Sequence, residues 1–351
     1  MSFRQGRRKV VAVDGVSFDV QAGETVGLVG ESGSGKSTIA NAILGLVPAE
    51  SGQILFRGED VTHLSFKQRK AFYQSAQIVF QDPYSSLNPS RTIGQTLAEP
   101  VQALGDPHQK PSGERVAAML QRVGLPVEAA DSYPKALSGG QRQRVAIARA
   151  LMPSPNLVIC DEATSALDLS IQAQILNLLQ DLQGSEGLSY LFVSHDLEVV
   201  RHMCDRIVVL YNGQMMESGF AEDVFSNAAH PYTEALHGAA LDPDPRVQRA
   251  RREKQDASRQ TRNEVDSPTG SLCPFAPRCP YSKQSCWEER PPIRPTDRPN
   301  GEVACIRYPE WRIALTESRM NQNPSDVRRG GVQLEVTKGH SSNTNERKKG
   351  D

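Results

Sequence analysis

One stretch restricts the fold of this chain more than any other: Gly30-Glu31-Ser32-Gly33-Ser34-Gly35-Lys36-Ser37-Thr38. It follows the apolar run 25–29 and precedes a helical pattern from Ile39, so it reads as strand, loop, helix. Its spacing, Gly, four residues, then Gly-Lys-Ser, is that of a P-loop. Glycines let the backbone take positive φ and bring N–H groups close to phosphate oxygens. The N-terminus of the following helix adds partial positive charge at the same place. In such a loop Lys36 reaches the β- and γ-phosphates and the Ser37 hydroxyl is available to Mg²⁺.

The rest of the chain is read around that loop. Its 351 residues suit one large core plus a smaller unit, and a net charge of −1 gives no general reason to expect nucleic acid. No window approaches the roughly 18 consecutive apolar residues of a membrane span, and the N-terminus has no signal-peptide pattern. The expectation is a chain kept in the cytoplasm, with any membrane-spanning part supplied by another protein.

Apolar runs suggest strands at 10–20, 25–29, 53–56, 77–80, 157–160, 190–193 and 207–210. Helical patterns fall at 39–47, ending before Pro48, and at 66–74, 92–104, 113–123, 141–151, 170–183 and 197–204. Strands vanish between Pro83 and about Leu151, which reads as a helical insertion. Alternating strands and helices elsewhere predict an α/β fold with a mainly parallel sheet covered on both faces. The division is a nucleotide-binding domain over 1–235 with its helical part at about 84–152, then a polar linker over 236–270. A cysteine-rich unit over 271–312 and a tail over 313–351 expected to be disordered follow.

Two further motifs carry chemistry. The strand 157–160 ends in Asp161-Glu162, which places two carboxylates beside the phosphate loop. Asp161 suits the water shell of Mg²⁺ and Glu162 suits polarisation of an attacking water. Leu137-Ser138-Gly139-Gly140-Gln141 opens a long helix with Ser138 as its N-cap, and forms a second anion-binding terminus. A second such site is useful if it faces another molecule's nucleotide.

With Gln81 after a strand, Ser165-Ala166-Leu167-Asp168, and His195 in Ser194-His195-Asp196, these motifs resemble the ABC-type ATPases over roughly residues 1–235. That resemblance implies two such domains enclosing two ATP molecules, each between one P-loop (30–38) and the opposite signature (137–141). It implies that His195 contacts the γ-phosphate, that Gln81 senses Mg²⁺ and the membrane partner, and that Asp168 links the two sites. Phe3 is the candidate aromatic for adenine. The chain begins almost on top of Ala12, so the first strand of the family's antiparallel β subdomain is expected to be missing.

The segments 12–18, 80–89 and 230–233 and Arg278-Cys279-Pro280 resemble the ATP-binding subunits of bacterial dipeptide and oligopeptide importers, in particular the F-type member of an unlike pair. This implies a second ABC ATPase, two permeases, an extracytoplasmic binding protein and a place on the cytoplasmic face of the inner membrane, with no direct nucleic-acid partner. Nickel and glutathione importers share the architecture. The rival reading is a soluble ABC ATPase acting on ribosomes or DNA. Chromosome-type members need long heptad runs and translation-type members need two cassettes, and this chain has neither.

Cys160 and Cys204 fall in apolar patterns and read as core. Cys273, Cys279, Cys286 and Cys305 are spaced C-x5-C-x6-C-x18-C, without the close pair of a zinc ribbon. Their clustering points to metal before disulfides. The importer resemblance implies a 4Fe-4S cluster; zinc and free thiols remain open alternatives.

Overall fold

The computed structural model describes residues 1–5, 8–105, 112–165, 167–240 and 272–313. Residues 1–308 form one compact unit and the chain from Pro309 a second, described only over 309–313, where Arg312 N–H donates to Pro309 O at 3.0 Å. The strands are β1 (Ser2–Gln5), β2 (Arg8–Val11), β3 (Thr25–Val29), β4 (Leu55–Phe56), β5 (Glu59–Asp60), β6 (Ala76–Val79), β7 (Leu157–Asp161), β8 (Ser189–Ser194), β9 (Arg206–Tyr211), β10 (Gln214–Phe220), β11 (Arg294–Pro295) and β12 (Glu302–Val303).

Eight of them make one sheet in the order β11-β12-β10-β9-β3-β8-β7-β6. From β9 to β6 every pairing is parallel; beyond β9 the pairings are antiparallel. β3 sits between β8 and β9 with all five residues buried, which is why it reads as an unbroken apolar run. The parallel register sets the site. Val29 lies opposite Ser194, Asp161 opposite Val193, and Val79 opposite Cys160. The residues that follow β3, β6, β7 and β8 therefore emerge along one edge of the sheet, where α/β folds bind ligands.

Helices cover the sheet: α1 (Lys36–Ile43), α2 (Phe66–Ser75), α3 (Pro83–Ser86), α4 (Ile93–Leu104), α5 (Gly113–Arg122), α6 (Gly139–Leu151), α7 (Leu169–Glu186), α8 (Leu197–Met203), α9 (Ala221–Ser226), α10 (Pro231–Ala240) and α11 (Ser285–Glu288). Between β6 and β7 the described chain is helical, as the pattern predicts, with two additional 3₁₀ turns at Val127–Asp131 and Pro134–Ala136. Thr92 and Ser138 start α4 and α6 through reciprocal capping boxes with Gln95 and Gln141. Ile93, Leu97, Leu120 and Val145 fill this part at 0 % exposure. Cys160 and Cys204 are buried as expected, and burial pushes the Cys160 thiol up to about 12.

Several boundaries differ from the sequence reading. No strand runs through 12–20: Gly15 turns at φ +66°, and Val16, Phe18 and Val20 pack on the core beside β3 instead of pairing. α1 begins at Lys36, inside the loop, and ends at Ile43, with Gly45 at φ +65° turning the chain before Pro48. The antiparallel strand expected to be missing is present. β1 pairs with β2, Phe3 opposite Val10, and the Met1 ammonium donates to Val13 O at 2.8 Å. α10 continues to Ala240, past the expected boundary at 235. Most of the expected linker and tail, 241–271 and 314–351, lies outside the described residues.

The largest departure is at the sheet edge. β10 was not legible as a strand, and β12 adds to it antiparallel with Glu217 opposite Val303, while β11 adds to β12. Residues 272–308 are thus built into the sheet that carries the P-loop.

Candidate functional site

The P-loop is shaped by its neighbours. A Cβ on Gly30 would lie 2.1 Å from Leu210 O, and one on Gly35 would lie 2.6 Å from Ala12 O with φ already at +103°. Neither place admits a side chain. Gly35 is the N-cap of α1 and offers no capping side chain, so the first amides of the helix stay open to an anion. Ser34 is buried in the loop and its carbonyl accepts from Gly213 N–H at 3.0 Å. Ser32 is exposed and Thr38 half-buried.

Lys36 is 4 % exposed, and its Nζ donates to Gly30 O at 2.7 Å and Glu31 O at 2.9 Å. The ammonium is held within the loop, where it can transfer its bonds to phosphate oxygens. Burial lowers its pKa, against the opposing charges of Glu162, Asp161 and Glu31. Ser37 Oγ donates to Asp161 Oδ1 at 3.0 Å. A hydroxyl and a carboxylate beside a phosphate seat are the oxygen donors Mg²⁺ prefers. Burial raises the Asp161 pKa, and the Ser37 bond pulls against it.

Glu162 is the meeting point of the site. It follows β7 with φ +48°, a left-handed conformation unusual for a non-glycine residue and costing on the order of 1–3 kcal/mol. Its N–H donates to Val193 O at 2.9 Å, which holds the turn against β8. The conformation brings its carboxylate between two other strand ends. Gln81 Nε2 donates to Oε2 at 2.7 Å, and His195 Nδ1 lies 3.3 Å from Oε1. Gln81, Asp161, Glu162 and His195, chosen from three separate motifs, thus converge beside Ser37 and Lys36.

The signature is a capped helix start. Ser138 Oγ accepts from Gln141 N–H and Gln141 Oε1 accepts from Ser138 N–H at 2.9 Å. Leu137 is buried. A Cβ on Gly139 would touch Leu167, and one on Gly140 would lie 2.6 Å from Ile171 Cγ2. The signature therefore rests on the start of α7, which Asp168 caps by accepting from Ile171 N–H at 3.0 Å. Phe3 is placed on β1, opposite Val10.

Cys273, Cys279, Cys286 and Cys305 line one small cavity with His230 and Phe275, and no disulfide joins them. Burial pushes the Cys305 thiol up to about 12 and raises that of Cys273. Among the described residues, no three His, Cys, Asp or Glu side chains are grouped to hold a metal ion.

The sequence reading missed what lies behind the P-loop. Tyr232 Oη accepts from Glu31 N–H at 2.9 Å, and Arg278 forms a two-toothed pair with the Glu31 carboxylate. Both residues belong to segments singled out for their likeness to importers, yet nothing in their local pattern points to a loop far away in sequence.

A P-loop between parallel strands, with an Asp-Glu strand end and a Ser-Gly-Gly-Gln helix start, defines a nucleotide-hydrolysing cassette. Residues 13–165 match the ABC transporter family, and residues 216–286 match the C-terminal region of oligopeptide/dipeptide transporters. The chain is similar to a probable peptide ABC transporter ATP-binding protein of Sinorhizobium fredii, 45% identical over 93% of this chain and 91% of that one. It is similar also to the oligopeptide transport ATP-binding protein OppF of Escherichia coli, 44% identical over 87% of this chain and 90% of the relative. Among solved structures it resembles a dimeric post-hydrolysis state of an ATP-binding cassette bound to ADP and Pi. The TM-score is 0.56 and the identity 29%, over 63% of this chain and 95% of that one. The chain belongs to the ABC transporter family, as an ATP-hydrolysing subunit carrying the oligopeptide/dipeptide-type C-terminal region.

Proposed function

We propose that this protein powers a bacterial importer of di- or oligopeptides from the cytoplasmic face of the inner membrane, as one of two unlike ABC ATPases. The observation that carries the substrate class is the C-terminal match over residues 216–286 together with relatives named for peptide transport. Nickel or glutathione are the alternative cargoes. No described helix is long and apolar enough to cross a membrane, so the reading requires two permeases, and an extracytoplasmic binding protein to deliver the cargo.

In this reading the P-loop residues 30–38 hold the ATP phosphates, with Lys36 turning from its own loop carbonyls to the β- and γ-oxygens. Ser37, Asp161 and Gln81 would hold Mg²⁺, which would supply positive charge to the triphosphate. Glu162 accepts the proton of the attacking water, and His195, beside it, faces the γ-phosphate. The residues 137–141 present their capped helix start to the partner ATPase's nucleotide, with Asp168 at the junction, and Phe3 lies against adenine. Between α2, α4, α6 and β6 runs an apolar groove of about 390 Å³, bordered by Leu46, Tyr73, Phe80, Pro100 and Leu104. It adjoins Gln81 and takes a short cytoplasmic helix of a permease. The four-cysteine unit is a candidate 4Fe-4S site. Four thiols that line one cavity with no disulfide among them support that reading, since thiolates so placed would be the ligands of a cluster. Iron and sulfide analysis of anaerobically purified protein tests it.

Tagged Glu162→Gln chain, purified from detergent-solubilised cells with ATP and Mg²⁺, should bring down two multi-spanning permeases and a second ABC ATPase. Recovery of ribosomes or DNA-associated proteins instead would refute the importer and favour the soluble ABC ATPase.

A further inference from the structure

Two arginines of the C-terminal region reach back toward the nucleotide site, Arg278 to the phosphate loop and Arg290 to Asp14. Arg278 Nη1 and Nη2 donate to Glu31 Oε2 and Oε1, each at 2.8 Å, a planar pairing with strong geometric demands. The guanidinium lies over Tyr211 and Phe275, 5.5 and 5.6 Å from their ring centroids, and Nη1 donates also to Tyr211 Oη at 3.3 Å. Tyr211, Tyr232 and Phe275 pack on one another, so the half-exposed arginine is backed by rings on one side. Arg290 Nη1 donates to Asp14 Oδ2 at 2.8 Å and Nη2 to Asp14 O at 2.9 Å. Asp14 N–H donates to Gly213 O at 2.8 Å, and Gly213 N–H to Ser34 O in the loop.

Glu31 is an acid inside a loop built to receive a polyphosphate. Its carboxylate is close enough for Lys36 to feel its charge. Left uncompensated it would repel the incoming anion and compete for the lysine. The Arg278 pairing cancels that charge and points the carboxylate away from free use.

We propose that Arg278 is a positioning residue for the nucleotide site: by pairing with Glu31 it neutralises the phosphate loop and raises its affinity for the triphosphate. The cysteine-bearing turn thereby governs the loop, because Arg278 stands beside Cys279 and its N–H donates to Phe275 O at 2.9 Å. This rests on the P-loop binding ATP, and goes beyond that reading by assigning part of its affinity to a residue outside the cassette motifs.

The test uses the full chain with a fluorescent ATP analogue at low and high salt, alongside steady-state hydrolysis. Arg278→Ala should weaken binding about five- to tenfold at low ionic strength, less at high salt, with the loss falling on KM more than on kcat. Adding Glu31→Gln to Arg278→Ala should restore most of the affinity, since no charge remains to neutralise. Glu31→Gln alone should bind more tightly than wild type at low salt, since Arg278 then adds uncancelled positive charge beside the loop, and Arg278→Lys should lie between Arg278→Ala and wild type. A structural role would not be rescued by removing the acid. Unchanged affinity in Arg278→Ala, or a double variant as weak as the single one, would overturn the proposal. Failure of wild type itself to bind the analogue would overturn the nucleotide reading beneath it.

Discussion

Arg298 offers a perturbation whose size can be worked from the structure. Glu217, in β10, has a side chain 0 % exposed and accepts from Arg298 Nη2 at 2.7 Å and from the N–H groups of Ala229 and His230 at 2.8 Å each. Arg298 Nη1 meanwhile donates to Asp223 O at 2.9 Å and Asn227 O at 3.1 Å, tying α9 and the chain after it to the C-terminal region. Arg298→Met removes the cation and leaves a buried carboxylate unpaired, which costs about 3–5 kcal/mol. At about 2–4 °C per kcal/mol for a domain of roughly this size, the melting temperature should fall by about 6–20 °C. Burial already raises the Glu217 pKa, opposed by Arg298, and removing Arg298 raises it further. A carboxyl with a folded pKa above its unfolded one adds stability below the unfolded value and loses it as pH rises through the folded value. The variant's deficit should therefore be larger at pH 8 than near pH 5. Glu217→Gln combined with Arg298→Met should recover most of it. Urea unfolding at the two pH values measures each quantity. A deficit below about 1 kcal/mol, or one independent of pH, would refute the reasoning.

Three other expectations concern the nucleotide site. Glu162→Gln should lower hydrolysis at least about 100-fold while retaining ATP binding; wild-type turnover in that variant would remove Glu162 from the role of base. Lys36→Ala loses charged hydrogen bonds worth about 1.5–3 kcal/mol, so calorimetry should show ATP binding weakened by about 10- to 150-fold. Gly140→Val drives a side chain into Ile171, where even a Cβ would lie 2.6 Å from Cγ2, and should destabilise by about 1–3 kcal/mol. An unchanged melting temperature for Gly140→Val would mean that α6 and α7 separate more readily than their packing indicates.

What was legible in the sequence is what short-range chemistry encodes. The strands β3, β7 and β8 are buried runs, and each is followed by the residues whose convergence matters, so parallel order alone brings Lys36, Glu162 and His195 together. Ser138 and Gln141 could be paired by their spacing. The apolar alternation at 10–20 misled because packing and pairing leave the same trace in sequence, and only Gly15 hinted that the chain bends. β11 and β12 are two residues each, one containing Pro295, and owe their existence to the edge offered by β10 rather than to propensity. The grip of Arg278 on Glu31 was hidden for the same reason: a surface arginine and a loop acid carry no sign of their partners. Glu162 shows a further limit, since its left-handed turn is imposed by β8 and is unusual for glutamate.

The distance along the chain between Glu31 and Arg278 has a consequence for synthesis. They are 247 positions apart, and Ser218 and Glu302 across the sheet edge are 84 apart. A chain emerging from the ribosome N-terminus first exposes its phosphate loop long before Arg278 exists. Until then Glu31 lacks this counter-charge and β10 lacks its outer neighbour, so a nascent cassette holds a loop of weaker affinity beside an open strand edge. Synthesis of residues 272–308 is what supplies this counter-charge and this neighbour. An immature subunit thus meets ATP with the weaker affinity proposed for a loop without Arg278, until the region that marks its transporter class has folded onto it.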